Sequence, residues 1–171
     1  GFTKNENRQV RCPAGLAVLF KTNSTTISVK TEFGWQYTST TTMPQAYRGY
    51  DLYIKKKDNW VYAASRAPKH NDPDGKNVVL IENMDGQEKE CMLYLPMHNG
   101  VTSLELGIEE GASIEPMESP FKYKMAFIGS SITHGSSASR PGATYVARIG
   151  RELNAEMANI GLSGQCKLDD Y

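Results

Sequence analysis

Between residues 127 and 135 the chain reads FIGSSITHG, where Ser130, Ser131, Thr133 and His134 crowd between Gly129 and Gly135. An apolar run that stops at glycine and gives way to hydroxyl side chains could present a nucleophile. A serine hydroxyl attacks only when a base takes its proton and backbone amides receive the oxyanion. Strand ends supply such amides, because N–H groups there are not consumed by the ladder, and glycine leaves room for a substrate. Ser131, two residues past the run, is the candidate nucleophile, and the loop from Gly161 to Gly164 could add an amide. The same residues also fit a polar turn in which Ser130, Ser131 and Thr133 only cap and solvate the chain. His134, three residues on and without an evident acid to hold its ring, reads as a surface-loop histidine rather than the base. Phosphate cradles are excluded by spacing: Gly129 and Gly135 enclose five residues, one too many for a P-loop, Ser136 follows where lysine is needed, and GxGxxG is absent.

The elements that would hold this loop follow from periodicity. KMAFIG, residues 124–129, is a compact apolar run of the kind buried in a parallel sheet. In ATYVARIGRELNAE, Tyr145 or Val146, Ile149, Leu153 and Met157 recur at helical steps, which predicts an amphipathic helix facing the sheet with those residues; Gly150 inside it marks a weak spot or close packing. MANIG, residues 157–161, is a second short strand. Strand, helix and strand make a βαβ unit whose two strands end on one edge, so SSITHG and LSGQ would sit side by side.

Ahead of Pro120 the pattern is different. TTISVKTEF alternates with Ile27, Val29 and Thr31 on one face, YDLYIKKKDNWVYAA reads as a hairpin, and NVVLIEN, DGQEKECMLYLP and VTSLELGI follow between turn signals. Such short strands predict an antiparallel sandwich or jelly roll with one wet face, and a boundary that divides residues 1–119 from 120–171. Asp51, between Tyr50 and Leu52, is expected on that wet face or bonded to a neighbouring turn. Trp35 and Trp60 read as half-buried strand residues rather than a sugar-stacking platform.

Composition narrows the function classes. Nineteen basic residues balance nineteen acidic ones, with no block of either sign, so no nucleic-acid or anionic-membrane footprint exists. No apolar run reaches membrane-spanning length. Cys12, Cys91 and Cys166 lack zinc spacing and read as free thiols, with a bridge between Cys12 and Cys91 left open. His70, His98 and His134 are scattered, which predicts no metal site, and His70 and His98 are expected to be solvated.

GSSITHG resembles the first block of the SGNH, or GDSL, hydrolase family, and NIGLSGQ is similar to its second block. Thr133 and Gly135 keep the pattern, while Ser130 stands where the family usually has Asp. RGYDLYIKKKDNWVYAA, with Gly49, Asp51, Leu52 and Tyr53, resembles the GxDLY segment of β-rich domains that precede some SGNH esterases, and LYLPMHNGVTSLELGIEEGASI resembles the end of that domain. The resemblance implies a flavodoxin-like three-layer α/β hydrolase domain after the sandwich. It further implies Ser131 as nucleophile, an oxyanion hole that includes the backbone N–H groups of Ser131 and Gly164, no cofactor, and a short acyl ester on a carbohydrate as substrate. Export to an envelope or extracellular space is the usual setting of such proteins.

The family's oxyanion Asn block and its late Asp-x-x-His do not follow Gly164, and Asp169 and Asp170 read as a helix start rather than a triad acid. The expectation is therefore an amino-terminal portion of a longer esterase, inactive alone. A non-catalytic β-rich binding module with an inactive hydrolase stub is the other reading. Uncovered apolar faces on KMAFIG and the following helix predict self-association or partial unfolding after Pro120.

Overall fold

The computed structural model describes residues 2–69 and 77–167. A short helix, α1 (Lys4–Gln9), opens the chain behind a capping box in which Thr3 accepts from the Glu6 amide and Glu6 from the Thr3 amide. Next come β1 (Ala17–Thr22), β2 (Ile27–Phe33), α2 (Pro44–Arg48), β3 (Tyr50–Lys56), β4 (Asn59–Arg66) and β5 (Val78–Ile81). They are followed by β6 (Lys89–Tyr94), β7 (Val101–Ile108) and β8 (Ile114–Pro116). Two antiparallel sheets result, ordered β4-β3-β6-β1-β8 and β5-β2-β7.

Their facing sides make the main core. Phe20, Leu52, Ile54, Cys91 and Leu93 of the larger sheet meet Ile27, Val29, Leu80, Leu104 and Leu106 of the smaller. In β2 the period-two pattern holds as expected, with Ile27, Val29 and Thr31 inward and Lys30 and Glu32 outward. Thr31 stays satisfied in the core because the Tyr50 hydroxyl bonds it. Two turns close on a left-handed backbone, at Lys57 with φ 55° and at Asn83 with φ 59°, of which only the asparagine is a residue type that favours it.

The larger sheet has no open outer face along β3, contrary to the expected wet side. Its residues from Tyr50 to Ile54 are all buried. Tyr53, Met92 and Tyr94 on that outer side pack with Ala147 of the second unit. The expected burial pattern failed because helix packing, not solvent, covers this face.

That second unit holds β9 (Tyr123–Gly129), α3 (Ser131–His134), a 3-10 turn (Pro141–Ala143), α4 (Tyr145–Leu153) and β10 (Ala155–Gly161). β9 and β10 pair in parallel, residue for residue, from Tyr123 opposite Ala155 to Gly129 opposite Gly161. Thr144 caps α4 by accepting from the Ala147 amide, and Asn154, left-handed at φ 49°, ends it. Its buried face is Val146, Ala147 and Gly150, whereas Tyr145 and Leu153 are exposed and Met157 lies in β10. Small residues win that face because the helix lies close to the sheet: a Cβ on Gly150 would fall 2.8 Å from Met157 Cγ.

β9 is paired on one edge only, so the apolar run expected to be buried is largely open, with Ile128 72% exposed. No helix among the described residues is long and apolar enough to cross a membrane.

Candidate active site

The serine loop is a single turn of helix. α3 begins at Ser131 directly after β9, with Ser130 as an N-cap that makes no side-chain capping bond. The Ser131 carbonyl accepts from the amides of Gly135 and Ser136, and Gly135 ends the turn at φ +121°. Ser131 is half-buried, and its hydroxyl has no hydrogen-bond partner among the described residues. Thr133, by contrast, is locked: its hydroxyl lies 2.9 Å from the Tyr145 hydroxyl, and its carbonyl accepts from Asn159 Nδ2 at 2.7 Å. A Cβ on Gly129 would meet Thr133 Oγ1, and one on Gly161 would fall 2.1 Å from the His134 amide nitrogen. Glycine is required at both strand ends because α3 lies directly against them.

The second loop leaves β10 at the same edge. Its Leu162 amide donates to the Gly129 carbonyl at 3.0 Å, and Gln165 closes a turn onto Leu162. Gly164 sits in that turn at φ +71° with open space around its Cα. The loop is tied to the amino terminus by Gln9, whose amide donates to the Ser163 carbonyl at 2.9 Å and accepts from the Ser163 N–H at 2.5 Å.

His134 is buried, not a surface residue. Its Nε2 lies 2.8 Å from the Met97 carbonyl, which can only accept, so Nε2 carries the proton. The Nδ1 lone pair can then accept from the Ser163 hydroxyl at 3.5 Å, while Gln9 Oε1, 3.3 Å away, is itself an acceptor and makes no bond to it. Burial holds its pKa below the ordinary histidine value despite the Met97 bond. The ring packs on His98 at 4.5 Å, and burial together with His134 lowers His98 from 6.5 to about 4. His98 is thus half-buried and neutral rather than solvated. Both rings support the loop, and neither touches Ser131.

Residues between α3 and α4 are held from the other side by β3. Asp51 is fully buried and accepts from the Gly142 amide at 2.9 Å. Arg140 Nε lies 3.1 Å from the same carboxylate oxygen but off the hydrogen-bond direction, so this is an ion pair. The Gly142 carbonyl accepts from the Tyr53 hydroxyl at 3.3 Å and from Arg151 at 2.7 Å, and the Arg151 guanidinium lies 4.0 Å from the Tyr53 ring centroid. Burial raises the Asp51 pKa against the pull of Ser65, Arg140, Gly142 and Arg151. The wet-face expectation for Asp51 is wrong; the turn it bonds is 91 residues away.

Two cavities flank this interface. One of about 310 Å³, bounded by Leu19, Tyr94, Phe121 and Ala155, lies at the starting end of β10, away from Ser131. Another, of about 460 Å³, opens on the serine-loop side, with Trp35, Tyr37 and His98 on one wall and Gln9, Ser136 and Ser163 on the other.

Residues 1–114 match the family model described as the N-terminus of SGNH hydrolase-type esterases, and residues 122–171 match the GDSL-like lipase/acylhydrolase family. The chain belongs to the SGNH hydrolases. A solved structure described as a GDSL-like lipase from Bacteroides ovatus is 39% identical with a TM-score of 0.91, covering 98% of this chain and 49% of that one. This SGNH chain therefore spans about half of that relative's length. The salicylyl-acyltransferase of a tetracycline biosynthetic pathway follows at 20% identity and TM-score 0.74, covering 96% and 44%. A family two carbohydrate esterase from Clostridium thermocellum, in complex with cellohexaose, has 17% identity and TM-score 0.61, covering 90% and 46%. Both of these share the fold. No curated protein matches the chain.

Within the SGNH frame, the parallel register brings the loops of Ser131 and Gly164 to one edge. Gln9, Asn159 and the Asp51 to Gly142 clamp escaped sequence reasoning, because their partners are remote in sequence. The GxDLY resemblance flagged Asp51 but not its partner. Cys12, Cys91 and Cys166 are free, which closes the open question of a bridge. The described residues hold no cluster that could ligate a metal. His70, Asp169 and Asp170 lie outside the described residues.

Proposed function

We propose that the chain carries the nucleophile portion of a serine esterase that removes short, acetyl-like acyl groups from a carbohydrate. The observation that carries this reading is the pairing of Gly129 with Gly161, which delivers Ser131 and the 162–165 loop to one edge of the sheet. Ser131 Oγ attacks the acyl carbonyl, and the amides of Ser131 and Gly164 take the oxyanion. The sugar alcohol leaves with a proton, and water then releases the acid from the acyl-enzyme. Among the described residues no histidine touches Ser131, so this reading requires a base and an orienting acid from outside them. The likeness to a carbohydrate esterase supports the sugar, and the proposed steps use proton transfer and hydrogen bonds only. An exported setting suits that substrate.

The test is acid release by the longer protein from acetylated methyl glycosides, compared with esters of long acyl chains. Faster release of acetate supports the reading, and a preference for long chains removes the short-acyl assignment. The Ser131 hydroxyl's lack of a partner also suits a second reading, a binding module with an idle serine. Glycan binding without any ester turnover by the longer protein would establish that one instead.

A further inference from the structure

The cavity beside the serine loop has a chemistry of its own. At about 460 Å³ it falls within the ~300–1,000 Å³ of small-molecule sites, and it lies where two units meet, a common place for such sites. Trp35 and Tyr37 stand edge to face at 6.4 Å, and Tyr37 lies 5.9 Å from His98, so aromatic rings form one wall. The opposite wall is neutral and polar, with the Gln9 amide and the hydroxyls of Ser136 and Ser137. Ser137 holds a left-handed backbone at φ 69°, a conformation that costs a non-glycine residue roughly 1–2 kcal/mol and that clusters at binding sites. Among the described residues no Asp, Glu, Lys or Arg lines the cavity, and the Arg8 guanidinium lies 5.7 Å from the Trp35 ring centroid. The two histidines on it are neutral near pH 7, since burial lowers both.

Walls without a charged lining residue disfavour phosphates and carboxylates, which would find a counter-charge only at Arg8 over Trp35, and salicylate tests that alternative. Aromatic faces suit the C–H face of a sugar ring, and amides and hydroxyls suit its rim of hydroxyl groups. We propose that this cavity, built by Trp35, Tyr37 and His98 against Gln9, Ser136 and Ser137, is a binding site for a neutral pyranose ring. Its position next to Ser163, one residue from Gly164, makes it a subsite for the sugar part of the ester. That placement rests on the esterase reading; the ring-binding chemistry does not.

The test is saturation-transfer NMR on the 171-residue chain with methyl pyranosides of glucose, galactose, mannose and xylose, and with salicylate as a planar anionic competitor. At least one pyranoside is expected to bind in the millimolar range, without displacement by salicylate. Trp35→Ala should weaken that binding about tenfold. Tyr37→Ala, at an exposed loop position, should weaken it as well, which decides the matter if the Trp35 variant fails to fold. Trp60→Ala, on β4 of the larger sheet and away from the cavity, should leave it unchanged. The proposal is overturned if no pyranoside binds, if binding survives both cavity variants, or if salicylate binds in preference. Because no ester is present, failure here with intact ester turnover removes only the sugar site. Binding here without turnover removes only the esterase reading.

Discussion

His98 and His134 give the serine loop a pH signature. Above pH 6.5 the His98 ring is neutral in both the folded and the unfolded chain. As pH falls toward 4, the unfolded chain takes up a proton that the folded chain refuses, so stability drops across that window. The loss assigned to His98 is at most about 3 kcal/mol, since each pKa unit corresponds to ~1.4 kcal/mol. Thermal melts between pH 7 and pH 4 should fall steeply in the parent, and His98→Phe should flatten the slope. Two glycines separate crowding from backbone strain at the same edge. Gly161→Ala places a Cβ against the His134 amide and should cost about 3 kcal/mol in urea unfolding. Gly164→Ala meets no atom and pays only for φ +71°, so about 1 kcal/mol is expected. Equal losses would show that α3 does not lie on Gly161 as described.

Among the elements that join the two units, β3 carries the buried carboxylate clamp. Asp51→Ala leaves the Gly142 amide and the Arg140 guanidinium without their buried partner, and a loss of about 3 kcal/mol in urea unfolding is expected. Limited proteolysis should then cut first between α3 and α4, and uniform resistance would contradict the clamp. The sequence showed β2, the β3–β4 hairpin and the parallel strands, because alternation and short apolar runs are local signals. It showed the buried face of α4 only in part: Val146 and close packing at Gly150 were among the expected alternatives, yet Tyr145 and Leu153 are exposed and Ala147 packs inward, because close approach favours small residues over large ones. It did not reveal β1, α1 or α2, whose short segments carry little periodicity. That the loops of Ser131 and Gly164 share one sheet edge was legible from the strand, helix and strand order, whereas Gln9 to Ser163 and Asp51 to Gly142 are pairings that only the assembled fold brings together.

At the scale of the whole molecule, the open side of the second unit governs behaviour in solution. Ile128 and its register partner Ile160 are exposed on one face of the β9–β10 pair, Tyr123 and Met125 on the other, and Ile132 on α3; among the described residues each of the two strands has one unpaired edge. Apolar surface of this kind drives association, and a second copy of the chain offers a matching one. The 171-residue chain should show concentration-dependent mass in sedimentation, and Ile128→Lys with Ile132→Lys should shift it toward monomer. An unchanged distribution would place the contact elsewhere. The proposed nucleophile, Ser131, lies on a loop of this unit, and no described histidine reaches its hydroxyl. The most direct measurement is hydrolysis of a chromogenic acetate ester by the longer protein, by its Ser131→Ala variant and by the 171-residue chain. Turnover is predicted for the longer protein alone, with a loss of at least about 10³-fold on removing the hydroxyl. Turnover that survives Ser131→Ala would contradict the assignment of this serine as the nucleophile.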